Sequence, residues 1–181
     1  FAAMDTDPEA APASLRILIL SIVAHSADET TWNALRLRAQ NEKSAMVKDN
    51  LYTLLASAKD KNLAKRALEL ALTEEPGLTT SASMIRTVAG EHTDMAFDFA
   101  MANLAAVNSK VDATSRSRYF PGLASNANNL AIIDKLQAYA KDNLDPSSRG
   151  EMERVIGGIK TRLKIREERA PAVKAWVDAN L

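Results

Sequence analysis

Apolar residues in this chain recur at steps of three and four along most of its length, and no alternating run long enough for a strand interrupts them. That pattern restricts the chain to helices packed on helices. The clearest instance runs from Ser44 to Pro76. Val47, Leu51, Leu54, Leu55 and Ala58 share one helical face, with Lys48, Asp49 and Asn50 opposite. Asp60 is placed to accept hydrogen bonds from the unpartnered first amides of the following helix. There Leu63, Ala64, Ala67, Leu68, Ala71 and Leu72 make a second stripe, with Lys61, Lys65, Arg66 and Glu69 outside. Pro76 and Gly77 are expected to end it, since proline cannot continue a helix and glycine permits the left-handed exit. The stretch predicts an αα-hairpin.

The remaining segments read as further copies of that unit. Phe1 and the alanine-, proline- and acid-rich stretch to Ser14 carry no helical period and are expected to form a ragged leader over 1–14, with one helical domain over 15–181. The apolar run Ile17–Ala24 is too short to span a bilayer, and the acids ahead of it are the wrong charge for a signal peptide, so a buried helix is expected. Asp28 opens a helix with Trp32, Leu35 and Ala39 inward. Thr80 or Ser81 is expected to cap a helix carrying Met84, Ile85, Val88 and Ala89, ended by Gly90. Thr93 or Asp94 starts the next, with Ala96, Phe97, Ala100, Leu104 and Val107 inward. Ser115–Gly122 suggests a short helix running into a turn, and Asn128 or Asn129 caps a helix reaching Asn143. The longest helix follows Pro146, with Met152, Val155, Ile156, Ile159 and Leu163 in register. Pro171 is expected to break it before a short last helix lined by Val173, Trp176 and Val177.

The expected fold is therefore all-α: antiparallel helix pairs stacked as a HEAT/armadillo-like α-solenoid, repeating at roughly 35–45 residues. A closed bundle is the alternative. At 181 residues the chain can bury a core unaided, and without cysteine it has neither disulfides nor a thiolate metal site. Lys+Arg and Asp+Glu both number 23, so no net field draws the molecule to nucleic acid or an anionic membrane. Few aromatics are available to stack on RNA bases.

Catalytic patterns are absent. The two histidines, His25 and His92, are followed by Ser-Ala-Asp and Thr-Asp-Met, not by the Glu-x-x-His that would bring two imidazoles to one zinc. Both read as polar helix-end residues. Gly157-Gly158 lies inside a helix and matches no phosphate loop; close packing against a neighbour is the expected reason for it. No Gly-x-Ser-x-Gly elbow occurs. One basic feature stands out. Arg162, Arg166 and Arg169 step by four and three along the longest helix, with Lys160 and Lys164 near and Glu167 and Glu168 partly offsetting them. It reads either as a solvated helix end suited to the negative pole of the dipole or as a grip for an anion such as a peptide carboxylate. Arg116 and Arg118 beside Tyr119 and Phe120 form a second candidate.

Leu15-Arg16, Glu42–Leu55, Ala67–Glu75, Val88-Ala89-Gly90, Ala96–Leu104, Ser115–Arg118 and Arg162…Arg166…Arg169-Ala170-Pro171…Trp176 together resemble the C-terminal helical domain of zinc aminopeptidases. The relatives in view are puromycin-sensitive aminopeptidase, the endoplasmic reticulum aminopeptidases and bacterial aminopeptidase N homologues. The resemblance implies a HEAT-like solenoid that caps a thermolysin-like catalytic domain and encloses a substrate chamber. It implies zinc in the parent enzyme but none here, because the Gly-x-Met-Glu-Asn and His-Glu-x-x-His motifs belong to an upstream domain. Its partners would be that catalytic domain and peptide substrates, not nucleic acid or membrane. Arg162, Arg166, Arg169 and Arg118 are the expected chamber contacts. The family's domain is usually longer, so this chain is expected to begin partway through it. A free-standing solenoid adaptor for a protein segment is the alternative reading.

Overall fold

The computed structural model describes residues 10–180; nine residues of the leader expected over 1–14, and Leu181, lie outside them. Among the described residues there are ten α-helices and no strand. They fall into two compact units divided between Asp112 and Ala113.

The first unit holds α1 (Ala13–His25), α2 (Glu29–Asn41), α3 (Ala45–Leu55), α4 (Lys61–Ala71), α5 (Leu78–Glu91), α6 (Thr93–Ala102) and α7 (Leu104–Lys110). Each helix packs on the next. The odd-numbered ones also stack in sequence, α1 on α3, α3 on α5 and α5 on α7, while α4 packs on α6. Hairpins stacked in this way bury a continuous core between neighbours, as the solenoid expectation requires. That core contains Trp32, Leu35, Leu51, Tyr52, Leu55, Leu68, Met84, Ile85 and Phe97, all essentially without solvent contact.

Local chemistry sets the helix ends. Asp28 accepts from the Thr31 amide at 2.8 Å, which holds its carboxyl below the ordinary range. Asp60 accepts from the Asn62 and Leu63 amides at 2.8 and 3.0 Å. Four expectations are corrected here. Helix α4 stops at Ala71, before Pro76, and Gly77, at φ +84°, is the residue that precedes α5. Thr80 and Ser81 do not cap α5 but lie buried within its first turns, Thr80 because its hydroxyl donates to Asp49 Oδ1 at 2.8 Å. Gly90 is inside α5, which runs on to Glu91. The helix expected from Thr93 past Val107 is cut at Asn103, whose side-chain amide donates to the Phe99 carbonyl at 2.9 Å and competes with the helical backbone.

Helix α1 forms but is only half buried: Leu20 and Ala24 face the core, whereas Ile17, Leu18 and Ile22 are exposed. A run that is apolar all round gives no periodicity from which to tell the two faces apart.

The second unit contains α8 (Arg116–Leu123), α9 (Ala131–Asn143) and α10 (Gly150–Asn180), with short 3₁₀ turns at Ala113–Ser115 and Pro146–Ser148. Helix α10 packs on α8 and α9. Its core is aromatic: Phe120 meets Tyr119 edge-on at 5.5 Å and Tyr139 at 5.0 Å. Burial pushes the Tyr139 phenol up to about 12. Asn129 accepts from the Ile132 amide at 3.1 Å at the start of α9.

Helix α10 supplies two more corrections. Pro171 does not break it; one helix runs from Gly150 to Asn180. The proline costs about 3 kcal/mol in a helix interior, but here it lies on an exposed segment, where water can take the carbonyl left without a donor. Gly157 and Gly158 are not there for close packing. A Cβ at Gly157 would meet nothing within 4 Å, and at Gly158 only the Arg162 guanidinium at 3.5 Å.

Candidate functional site

Arg162, Arg166, Arg169 and Arg118 all belong to the second unit but occupy two separate places. Arg118 is exposed on α8, where its charge helps hold the Glu151 carboxyl below its ordinary range. The larger cause of that shift is Arg154, whose Nε donates to Glu151 Oε2 at 2.8 Å and whose Nη2 pairs with Oε1. Glu151 and Arg162 are eleven residues apart on one helix, hence roughly 16 Å at about 1.5 Å per residue. Arg118 is therefore not part of the ridge.

On the ridge the three arginines differ. Arg162 donates through Nη2 to the Ser125 carbonyl and to the Ala127 carbonyl at 3.1 Å, fastening α10 to the loop after α8. Arg166 borders a groove of about 760 Å³ lined by Leu130, Leu163, Ala170 and Pro171, with Glu167 and Lys174 also at its edge. Arg169 is exposed one turn further on, and Lys164 pairs with Glu168 at 3.8 Å. An apolar floor beside an exposed guanidinium suits a ligand with apolar side chains and a carboxylate, which arginine binds with two parallel hydrogen bonds. The residues lining the groove include no nucleophile–base pair.

Zinc does not fit the donors present. His25 Nδ1 lies 3.1 Å from the Ser57 carbonyl and His92 Nε2 lies 3.0 Å from the Ala58 carbonyl, so each ring binds the turn between α3 and α4 through a nitrogen. Among the described residues no group of three or more histidine, cysteine, aspartate or glutamate side chains could hold a metal. No helix among them is long and apolar enough to cross a membrane.

Sequence reasoning missed two polar clusters in the first unit. Glu75 accepts from Arg36 Nε at 3.0 Å and Nη2 at 2.7 Å, from the Tyr52 hydroxyl at 3.1 Å and from Gln40 at 3.2 Å. The Arg36 hydrogen bonds hold the Glu75 carboxyl below its ordinary value, and burial pushes the Tyr52 phenol up to about 12. Lys110, a buried ammonium, donates to the Thr73 carbonyl at 3.2 Å and to Glu74 Oε1 at 2.7 Å. Together they fix the loop between α4 and α5. The one available signal was two adjacent acids, Glu74-Glu75, in a segment with no helical stripe.

Comparison with protein families decides the relationship: the model of the ERAP1-like C-terminal domain matches residues 1–161. The chain belongs to that family. It is thus of the type that forms the C-terminal domain of ERAP1-like aminopeptidases. The ERAP1-like match includes Arg118 and ends immediately before Arg162, so the ridge lies past the matched span. A search of curated proteins found no match to the chain.

Proposed function

We propose that the chain works as the non-catalytic C-terminal domain of a zinc-dependent aminopeptidase that removes residues from peptide N-termini. In this reading it docks on the catalytic domain, closes one side of the substrate chamber and holds the peptide away from the zinc. Membership of the ERAP1-like C-terminal family carries the proposal. The groove at Arg166 supports it, because a guanidinium above an apolar floor suits a peptide's side chains and carboxylate without reacting with them. Arg166 and Arg169 are the residues assigned to peptide contact. Arg118 would meet a different part of the substrate, and Arg162 acts on its own loop as well as on the chamber.

The purified chain tests the non-catalytic half of the proposal. Metal analysis should find no stoichiometric zinc, and aminoacyl anilides should not be hydrolysed above a buffer control. Zinc at one per chain together with hydrolysis that co-purifies with it would overturn the proposal.

A further inference from the structure

Helix α10 changes character at one point along its length. Up to Ile159 it contributes Met152, Val155, Ile156 and Ile159 to the core. From Lys160 to Asn180 every residue is exposed except the half-buried Leu163 and Val177. Just ahead of that junction, between the buried Ile156 and Ile159, stand Gly157 and Gly158, a pair that weakens a helix because glycine has the greatest backbone freedom to lose. Neither glycine is required by crowding: nothing lies within 4 Å of a Cβ at Gly157, and only the end of the flexible Arg162 side chain meets one at Gly158. Helix bends concentrate at such pairs, and hinges are short segments that absorb a backbone change while the elements on either side stay rigid.

Past the buried Ile159 the contact becomes a point fastening. Arg162, one turn after Gly158, reaches back to the Ser125 and Ala127 carbonyls. Past it, Leu163, Arg166, Ala170, Pro171 and Lys174 form one wall of the groove, and Leu130, at the start of α9, forms the other. One wall is thus the first residue ahead of α9, and the other belongs to the part of α10 that, past the buried Ile159, is fastened to the loop by the Arg162 side chain.

We propose that Gly157–Gly158 is a hinge on which the outer half of α10, Lys160–Asn180, swings as an arm, latched by Arg162 to the Ser125 and Ala127 carbonyls, so that the groove against Leu130 opens and closes. The inference rests on residues 123–180 alone and is independent of the aminopeptidase reading. Arg166, Ala170 and Lys174 move with the arm, while Leu130 stays with α9. A ligand that touches both walls draws the arm shut, and one that touches only the arm leaves it free.

The absence of native cysteine makes the test direct. Asn128→Cys and Ala172→Cys, both at exposed positions, take spin labels on the loop and on the arm of the full chain. Pulsed electron paramagnetic resonance should resolve a shorter and a longer distance population. Gly157→Ala with Gly158→Ala, for which the structure has room, should abolish the longer population. Arg162→Ala should shift the balance toward it. Circular dichroism on each variant verifies that helix content is retained. A single narrow population in the parent chain, or one unaltered by the double alanine variant, overturns the hinge. No shift with Arg162→Ala overturns the latch.

Discussion

At the scale of single residues, polar groups at the edge of the apolar core show how burial and pairing set the sign of an effect. Glu75 is held ionised by Arg36, Tyr52 and Gln40, so its folded pKa lies below the unfolded value of about 4.3. The stability it contributes is therefore complete above that value and is lost as pH falls through the lower folded one. Denaturation midpoints followed from about pH 6 to about pH 3 should fall for the parent chain and fall less steeply for Glu75→Gln. Parallel curves would mean that the cluster adds nothing. Ser81 has the opposite sign. Its hydroxyl is fully buried and has no hydrogen-bond partner among the described residues, so Ser81→Ala removes a desolvated polar group. A gain of up to about 1 kcal/mol is expected in chemical denaturation, and a loss of that size would show that the hydroxyl is satisfied in solution. Tyr52, which completes the Glu75 cluster, illustrates why such groups escape a reading by periodicity. It follows Leu51 directly and falls off the counted stripe, yet α3 is enclosed widely enough that both residues are buried.

At the scale of elements, most helices and most inward faces were legible; Val47, Val173 and Trp176, read as facing inward, are exposed, the last helix is not separate, and several ends were not legible. Asp28 and Asp60 cap where their spacing indicates, because a carboxylate ahead of an apolar stripe has a specific backbone partner. Asn103 and Pro171 mislead in opposite directions. Asn103 cuts a continuous stripe by offering its side chain to the Phe99 carbonyl, and Pro171 leaves a helix whole where no competing contact draws the chain aside. Both outcomes depend on tertiary surroundings that spacing does not carry. The split character of α10 leads to a measurable difference within one helix. The amides of Val155 and Ile156, ahead of the glycine pair, should exchange with solvent orders of magnitude more slowly than those from Arg169 to Val177, because only the former lie in packed core. Uniform protection along the helix would contradict the exposure of its outer half.

At the scale of the whole molecule, the all-α class and the stacked hairpins follow from hydrophobic spacing, and the family follows from the ERAP1-like match over residues 1–161. The candidate site was legible only in part. A ridge of arginines is visible in a sequence, but that Arg162 is occupied by two carbonyls while Arg166 borders an open groove depends on a loop folded against α10. Balanced charge adds a constraint: with 23 basic and 23 acidic residues, recognition has to come from a local arrangement and not from a net field. The proposed function has this domain handle peptides without performing chemistry. Its most direct measurement is kcat/KM in the parent enzyme carrying Arg166→Ala and Arg169→Ala, with a peptide of about ten residues compared with a single aminoacyl anilide. Loss of a charge-assisted hydrogen bond worth about 1.5–3 kcal/mol should lower the long-peptide value by roughly 10- to 100-fold and leave the anilide value unchanged. An equal loss on both substrates would contradict the account.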